Sequence, residues 1–479
     1  MKLANVTANL LILKADSIGE LEKIEEYFTF KKEGYQYSPL FRQGLWNGNV
    51  KFYFKKDTGW VTIPTGLYFR LCQVIPSLEV NSHAFGSKAD SFYNILPPIP
   101  QKVRFDCKLN LRDYQVEAVE SMFKHRRGII KLPTGSGKTI VALEFLRRTN
   151  LPTIYLVNRK DLFYQTVKKM IDFGFSKVGL LGMGYFEPTY DIDVAMFQTV
   201  SKIDFNDEFW NHYSIVIVDE CHHINFDAKI FKETVKALKK APYRFGFSAT
   251  PFRYNCKYAD DITLIALIGE VIYEKKEIEN FTSPVIIYPI RINYLGKHFL
   301  SFQNYRDTLN FIISLEPRHE IIRSLVSKHP KDKVLIIAPS LNHAVKLADK
   351  LGLPVVHGEL SNQERRLLYE RFKASEIKHL VSTTVYDEGV DFPDLNVLIF
   401  TEPFKSYLKV IQRVGRGRRI SEGKTYLIVY DLVDELFLKQ YNARKRVYQR
   451  EGFLIENEEE FSISREEVIR GARACFGSK

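Results

Sequence analysis

The sequence predicts an α/β protein in which two tandem parallel-sheet domains follow a small α+β domain. From Leu111 onward, short apolar and β-branched runs alternate with helix-like segments, which is typical of strands buried on both faces of a parallel sheet. This alternation occurs in two blocks, and only the first block has a Gly-rich loop between a strand and a helix. Ahead of both blocks, shorter strand-like runs and one helix-like segment indicate the α+β domain.

Composition limits the classes of protein to consider. The 479 residues suffice for about three domains. With 45% hydrophobic and 26% charged residues, and no apolar run near the roughly 18 residues of a membrane span, we expect a non-membrane protein without a signal peptide. The five cysteines are scattered, which favours neither disulfides nor zinc and suits a reducing cytoplasm. The formal charge of +12 favours a polyanionic partner such as nucleic acid.

The first region, residues 1–103, combines a predicted helix over Ile18–Phe28 with predicted strands over Lys51–Phe54 and Trp60–Pro64. Basic and aromatic side chains alternate around two turn signals, a pattern that suits contact with nucleic acid. A half-buried hairpin with solvated lysines is the alternative. Residues 77–103, with three prolines, are interpreted as a linker. The candidate nucleic-acid-binding residues of this region are Arg42, Trp46, Lys51, Lys55, Lys56 and Trp60.

The two blocks that follow supply the predicted parallel strands. Open parallel sheets bind ligands at the carboxyl ends of their strands. Because there are two sheet domains but only one Gly-rich loop, we expect a ligand of that loop to lie in the cleft between the two domains. The predicted strands of the first block are Gly128–Leu132, Pro152–Val157, Ile192–Met196, Ser214–Val218 and Tyr243–Ser248, and those of the second are Val334–Ala338, Leu353–His357, His379–Thr384, Asn396–Phe400 and Thr425–Tyr430.

A phosphate-binding loop is predicted where the first of these strands meets a helix-like segment, in the sequence LPTGSGKT. Several inward-facing backbone N–H groups require sharp turns and close approach, which Gly135 and Gly137 permit. Lys138 can then reach the β/γ-phosphates, and the Thr139 hydroxyl can ligate Mg²⁺. The general pattern begins with glycine, where this chain has Leu132. A Gly-rich turn without a ligand is the alternative.

A pair of carboxylates ends another predicted strand, in IVIVDECHH. Asp219 is placed to hold Mg²⁺, and Glu220 to orient and deprotonate the attacking water. His222 is interpreted as transmitting the nucleotide state to neighbouring loops. A zinc site is not supported, because four spaced ligands are lacking. An acidic turn between strand and loop is the alternative.

An arginine-rich segment, QRVGRGRR, lies late in the second block. Guanidinium groups stabilise the charge that develops during phosphoryl transfer, and an arginine from across a cleft acts only when that cleft closes. Arg416 and Arg419 suit this role. A basic turn that grips a phosphate backbone or is merely solvated is the alternative.

Together these motifs resemble superfamily 2 DNA helicases and translocases over roughly residues 105–435. The resemblance rests on LRDYQ (Leu111–Gln115), LPTGSGKT, VNRKDLFYQ (Val157–Gln165), FQTV (Phe197–Val200), DECH, FSATPFR (Phe247–Arg253), APS (Ala338–Ser340), STTVYDEGVDFP (Ser382–Pro393) and QRVGRGRR. The form of four motifs, NRKDL, SATP-x-R, DEGVD and QR-x-G-R, is most similar to that in the XPB-like repair helicases and the UvsW-like phage recombination helicases. The N-terminal GLWNGNVKFY and IPTGL also resemble the small DNA-binding domain of UvsW-like proteins.

The resemblance implies two RecA-like motor domains that use ATP and Mg²⁺. It implies four domains, 1–103, 104–284 (ATP-binding), 285–435 and a helical extension 436–479. It also implies site residues by role. The nucleotide is held by Arg112, Gln115 (on the adenine), Thr134, Gly135, Ser136, Gly137, Lys138, Thr139, Asp219, Gly389 and Asp391; coupling uses His222, Ser248, Thr250 and Gln412; DNA phosphates contact Arg159, Thr199, Ser340 and Thr383.

The implied activity is ATP-dependent unwinding or branch migration of forked and branched DNA by a cytoplasmic monomer, in recombination, repair or replication. Three alternatives stay open. The chain could be a duplex translocase that separates no strands, an RNA helicase, or an ATP-gated clamp on nucleic acid with negligible turnover.

Overall fold

The computed structural model describes residues 1–80, 95–105, 110–133, 135–253, 256–275, 283–297, 302, 304–383, 392, 394–404, 410, 413–415, 417 and 424–476, apart from the side chains of residues 80, 161 and 362. It divides into two compact units, residues 1–277 and 278–479. Within the described ranges, no helix is both long enough and apolar enough to cross a membrane.

The N-terminal region forms a five-stranded, mainly antiparallel sheet. Leu11, Leu13, Val61 and Ile63 point into its core and are fully buried or nearly so. The predicted strand Trp60–Pro64 is confirmed, and the predicted helix begins at Ile18, after the cap that Ser17 provides by accepting from the Glu20 N–H. In sheet order the strands are Phe54–Lys55, Trp60–Pro64, Leu10–Lys14, Lys2–Val6 and Glu79–Val80; the helices are Ile18–Tyr27, Pro39–Arg42 and Tyr68–Val74.

One predicted strand of this region is wrong as a single element. The run Lys51–Phe54 is divided between two sheets, because Asn49–Lys51 pairs with Thr29–Lys31 whereas Phe54–Lys55 pairs with the strand Trp60–Pro64. The chain therefore crosses from a small ribbon to the main sheet in the middle of a continuous β-prone run.

The first parallel sheet is built from strands whose residues are almost all buried, as the apolar runs predict. In sheet order the strands are Tyr185–Glu187, Gly179–Gly182, Ile192–Met196, Thr153–Val157, Ile215–Asp219, Tyr243–Ser248, Arg127–Lys131 and Val271–Glu274. Only the pairing of Tyr185–Glu187 with Gly179–Gly182 is antiparallel among the described strands of this sheet. The helices are Asp113–His125, Lys138–Arg147, Lys160–Asp172, Phe197–Val200, Lys229–Ala237 and Ala259–Leu267.

Two buried arginines join the N-terminal sheet to the first parallel sheet within residues 1–277. Arg127 donates to the carbonyl of Ala8 at 3.1 Å, and Arg244 donates to Oδ1 of Asn9 at 2.7 Å. Asn9 in turn donates to the carbonyl of Lys236 at 2.9 Å. Burial lowers the pKa of Arg244 to about 9, so the guanidinium is still charged at neutral pH and needs hydrogen-bond acceptors inside the protein. The two sheets therefore share polar groups that neither could leave unpaired without cost.

The same interface includes a close backbone approach at Gly66. A Cβ on this residue would overlap the carbonyl oxygens of Ile265 and Ala266 at the end of the helix Ala259–Leu267. Glycine is thus required for the N-terminal sheet to seat on the first parallel sheet.

The second unit contains a second parallel sheet, which confirms the predicted tandem arrangement along the chain. In sheet order the strands are Val355–Val356, His379–Ser382, Val334–Ile337, Val397–Phe400, Leu427–Asp434, Val285–Tyr294 and Leu454–Ile455, with Glu459–Ile463 also on Val285–Tyr294. The helices are Tyr305–Ser314, Glu316–Ser327, Leu341–Leu351, Asn362–Lys373, Leu438–Arg450 and Arg465–Phe476.

The C-terminal segment is more than the predicted helical extension. Its strands Leu454–Ile455 and Glu459–Ile463 pair in parallel with successive parts of the long strand Val285–Tyr294. Of Glu459–Ile463 only Ile463 is buried, so the acidic residues hide the strand pattern in the sequence. These two strands thus complete the second sheet.

Candidate active site

The phosphate loop has the backbone geometry that the sequence predicts. Gly135 and Gly137 have φ angles of 86° and 79°, in the left-handed region that favours glycine. A Cβ on Gly137 would lie 2.7 Å from Nε2 of Gln115. Leu132 occupies the first position of the pattern because its side chain is fully buried in the core. The position that departs from glycine is therefore a core position, and Gly135 and Gly137 supply the left-handed turns that follow.

Gln115 contacts this loop directly. Its Nε2 donates to the carbonyl of Ser136 at 3.0 Å, and its Oε1 accepts from the N–H of Arg112 at 3.0 Å. Tyr114, which the sequence reasoning missed, donates from its hydroxyl to the same Ser136 carbonyl at 2.7 Å. The helix Asp113–His125 thereby fixes the position of the loop.

A buried polar atom of the loop indicates what the loop binds. The Ser136 hydroxyl is buried and has no hydrogen-bond partner among the residues that the structure describes. It lies beside two left-handed glycines, at the N-terminus of the helix Lys138–Arg147. Unsatisfied donors around a helix N-terminus fit a polyphosphate, so these residues suit a nucleotide.

The carboxylate pair lies at the carboxyl end of the strand Ile215–Asp219. This strand and the strand before the phosphate loop are both neighbours of Tyr243–Ser248, so their carboxyl ends meet at one edge of the sheet. Glu220 has φ and ψ of 50°, a strained left-handed conformation for a residue with a Cβ. Strain of this kind is common at functional sites.

Tyr155 connects the two residues predicted to hold Mg²⁺. Its hydroxyl donates to Oδ2 of Asp219 at 3.5 Å and is also hydrogen-bonded to the side chain of Thr139. Burial, and then the Asp219 charge, raise the pKa of Tyr155, so it stays a neutral donor. Two oxygen ligands held together in this way fit a hard cation such as Mg²⁺. Sequence reasoning missed Tyr155, whose only signal is a hydroxyl within an apolar strand.

The two carboxyl groups have opposite pKa shifts. Burial, and then the neighbouring Glu220, raise the pKa of Asp219 to about 6. Burial also acts to raise the pKa of Glu220, but Lys138 and His222 outweigh it and hold that pKa below its ordinary value. Glu220 is therefore ionised at neutral pH, as a base requires.

A pH-dependent stability follows from Asp219. Its ionised form is disfavoured in the fold, so it destabilises the ligand-free protein above pH 6 and ceases to do so as pH falls through 6 toward 3.8, the ordinary value. We expect Asp219→Asn to raise the melting temperature by about 2–4 °C at pH 8 without ligand, and by less at pH 5.5. Thermal scans at both values test this, with the exposed Asp57→Asn as the control. A gain that is equal at both pH values would contradict it.

The predicted coupling residues of the first unit form a hydrogen-bonded chain. Nδ1 of His222 lies 3.2 Å from Oε2 of Glu220 and 3.1 Å from Oγ of Ser248. The Thr250 N–H donates to the same Ser248 oxygen at 3.1 Å. His222 and Ser248 are buried, and through them Glu220 is connected to the backbone of the segment that follows the strand Tyr243–Ser248.

His223 marks a second, unpredicted feature of this edge. Burial, and then His222 and Arg159, lower the pKa of His223 to about 3, so it is neutral. Its ring centroid lies 4.3 Å from that of His222. Arg159, a predicted DNA contact, is the N-cap of the helix Lys160–Asp172. The positive charge of Arg159 therefore acts on His223, close to the carboxylate pair.

The other predicted phosphate contacts sit at the ends of elements. Thr199 is half-buried in the helix Phe197–Val200. In the second unit, Ser340 caps the helix Leu341–Leu351, and Thr383 is buried. Ser340 and Thr383 follow adjacent parallel strands and therefore lie at the same edge. Thr134, Gly389, Asp391, Gln412, Arg416 and Arg419 lie outside the described residues.

The predicted DNA-binding residues of the N-terminal region differ in availability. Arg42, Lys51 and Lys56 are exposed. Lys55 is also exposed but forms an ion pair with Glu25.

The two tryptophans of this surface also differ. Trp46 is half-buried and donates from its indole to the carbonyl of Asn49 at 2.9 Å, so it has a structural role. Trp60 is 38% exposed. Sequence reasoning missed the strongly exposed apolar side chains nearby, Tyr37, Leu40 and Leu45.

Comparison with known proteins agrees with this site. Residues 108–253 match the family described as Type III restriction enzyme, res subunit, and residues 317–421 match the Helicase conserved C-terminal domain. The DNA 3'-5' translocase XPB2 of Sulfurisphaera tokodaii is 27% identical over 382 residues, which cover 70% of this chain and 84% of the relative. The ATP-dependent DNA helicase uvsW of Enterobacteria phage T4 is 22% identical over 479 residues, which cover 91% of each.

A solved structure supports the fold. A fragment assigned as the HsdR subunit of a type I restriction enzyme from Vibrio vulnificus YJ016 aligns with a TM-score of 0.57 at 18% identity, covering 74% of this chain and 69% of that one. The two family matches fall on the two parallel-sheet units in the expected order, and the first contains the phosphate loop and the carboxylate pair. The chain therefore has, in order, the two domains of a superfamily 2 helicase or translocase, and it is similar to the XPB-like and UvsW-like DNA helicases and translocases.

Proposed function

We propose that this protein hydrolyses ATP to unwind or branch-migrate forked and branched DNA in recombination, repair or replication. The observation that carries the proposal is the connected site at one edge of the first parallel sheet, where Glu220 is linked through His222 to Ser248. The site connects a candidate base to a segment outside the nucleotide loop. A protein that only binds a nucleotide would not need this connection. Unwinding of a labelled fork in the presence of ATP tests the proposal.

In the proposed mechanism, the phosphate loop binds the triphosphate and Lys138 neutralises its outer charge. Mg²⁺ held by Thr139 and Asp219 supplies further charge neutralisation when it is bound. Glu220, ionised and oriented by His222, accepts a proton from the attacking water. Arg416 and Arg419 of the second motor domain stabilise the charge on the transferred group, so that their engagement depends on the nucleotide.

The grip on DNA is proposed to use backbone phosphates. Arg159 and Thr199 are assigned to the first motor domain and Ser340 and Thr383 to the second, so that relative movement of the two would shift the grip along a strand. Thr383 is buried in this conformation, and its hydroxyl must become accessible for such a contact. Contacts of this kind do not depend on base sequence, and binding should weaken with salt.

The alternatives are separated by simple measurements. A duplex translocase would hydrolyse ATP on duplex DNA without displacing a strand from a fork. An RNA helicase would be stimulated more by RNA than by DNA. A clamp would show no steady-state turnover, although the intact Lys138 and Glu220 argue against it. We also propose that the protein acts as a monomer in the cytoplasm.

The N-terminal domain is proposed to hold duplex DNA ahead of the motor. Replacing Lys51 and Lys56 with alanine should reduce the slope of log K against log[salt] by about 0.9 for each duplex phosphate that is no longer neutralised, and impair fork unwinding more than ATPase activity. Lys55→Ala should change the slope less, because Lys55 is partly neutralised by Glu25. Salt titrations of duplex binding measure this.

The matched control is Lys23→Ala, which removes one exposed lysine charge elsewhere on the domain and is compared with Lys51→Ala or Lys56→Ala alone. An equal slope change in this control would contradict a localised DNA contact. Deletion of residues 1–103 is a poorer test than point substitution, because it would leave the buried guanidinium groups of Arg127 and Arg244 without the acceptors at Ala8 and Asn9.

A further inference from the structure

Two buried arginines of the second unit contact the ring of Phe404. The guanidinium carbon of Arg413 is 4.6 Å from the centroid of the Phe404 ring, and that of Arg444 is 5.1 Å from it. Arg413 and Arg444 are at most 1% exposed. Arg413 belongs to the arginine-rich segment, whereas Arg444 belongs to the C-terminal helix Leu438–Arg450. One ring thus connects two parts of the chain that are distant in sequence.

Arg444 is fixed in place by a buried network. Its Nε and Nη2 donate to the two carboxylate oxygens of Asp431 at 2.9 and 2.8 Å, and its Nη1 donates to the carbonyl of Phe404. The Tyr448 hydroxyl donates to the same carboxylate at 2.8 Å. A bidentate pair of this kind sets the orientation of the guanidinium plane as well as its position. The C-terminal helix therefore holds Phe404 at both its ring and its backbone.

Arg413 connects the Phe404 ring to the arginine-rich segment, to which it belongs. It donates from Nη1 to Oε2 of Glu402 at 3.0 Å while it contacts the Phe404 ring. Residues 413–415 and 417 are helical, and a Cβ on Gly417 would lie 3.0 Å from the Leu427 side chain. Arg416 follows Arg413 by three residues in the sequence. The start of the segment is thus fixed to the sheet immediately before its proposed catalytic arginines.

We propose that Arg444 is a positioning residue for Arg416 and Arg419 and acts on them through Phe404 and Arg413. The proposal rests on the function assigned above to these two arginines. The C-terminal helix is then part of the ATPase machinery. An arginine that must meet a developing charge loses much of its effect when it is slightly misplaced. Removal of the aromatic face of Phe404 should therefore slow turnover more than it weakens ATP binding.

The primary test is Phe404→Leu, which removes the aromatic face but keeps an apolar side chain and leaves both buried ion pairs in place. We expect kcat for DNA-stimulated ATP hydrolysis to fall about tenfold or more, with KM for ATP and the binding of ATP changed less than about threefold. In an Arg416→Ala background, Phe404→Leu should lower kcat little further, because both substitutions remove the same contribution to transition-state stabilisation. An unchanged kcat for Phe404→Leu would overturn the proposal.

A matched control exists in the same unit. Arg318 is also fully buried, donates to both oxygens of Asp434 at 3.0 Å, and shares that carboxylate with Tyr294. It donates to the carbonyl of Thr401 at 2.9 Å, and so holds the backbone before Phe404, but among the described residues it has no recorded contact with the Phe404 ring. Arg318→Lys should therefore lower the melting temperature as Arg444→Lys does, while only Arg444→Lys lowers kcat. Equal losses of kcat in both variants would overturn the proposal, since they would reflect general destabilisation.

If Arg416→Ala and Arg419→Ala each leave kcat unchanged, the catalytic assignment itself fails. If either lowers kcat and Phe404→Leu does not, only the positioning role fails.

Discussion

Glu220→Gln is expected to bind ATP normally and to lose turnover by about 10²–10⁴-fold. The substitution keeps the shape of the side chain and a hydrogen-bond partner for His222 but removes the group that accepts the proton. The carboxylate is well suited to this role, because Lys138 and His222 hold its pKa low despite burial. Steady-state ATP hydrolysis with saturating DNA, together with equilibrium binding of a fluorescent ATP analogue, measures the two effects separately.

Lys138→Ala provides the contrasting variant. It removes the charge that meets the phosphates and should weaken ATP binding itself. If Glu220→Gln hydrolysed ATP at close to the wild-type rate, Glu220 would not be the base. If both variants lost binding equally, the division of roles between the loop and the carboxylate pair would be wrong.

Arg416→Ala is expected to retain ATP binding and to lose about 10³-fold or more in turnover. The reason is that a guanidinium that meets the transferred phosphoryl group stabilises the transition state more than the bound ground state. Single-turnover hydrolysis, with the enzyme saturating and in excess over ATP, separates this loss from an effect on product release. A fall of less than about tenfold would assign the role to another arginine, with Arg419 first in line.

The parallel-sheet units were predictable because their signals are local. A strand buried on both faces is a continuous apolar run, and Ile192–Met196 and Tyr243–Ser248 were predicted to the residue. The phosphate loop was predictable because the glycines and the Lys138–Thr139 pair are adjacent in sequence. Its departure at Leu132 needed the structure, which shows a core position there.

The features that the sequence did not reveal depend on distant contacts. Phe54–Lys55 leaves the predicted strand because its partner is Trp60–Pro64, and no local pattern marks that exchange. Glu459–Ile463 was assigned to a helical extension because its acidic residues face outward. Buried arginines such as Arg244 and Arg444 have no local signal, since a charged residue is ordinarily exposed and its partners lie far along the chain.

The central claim, that ATP hydrolysis at this site drives strand separation in branched DNA, is tested most directly by strand displacement. Forks, three-way and four-way junctions with each strand labelled in turn would be compared with linear duplex, using Glu220→Gln as the inactive reference. The account predicts ATP-dependent release of strands from branched substrates by the wild-type chain and none by Glu220→Gln. Robust DNA-stimulated ATP hydrolysis without strand release from any of these substrates would contradict it and identify a duplex translocase.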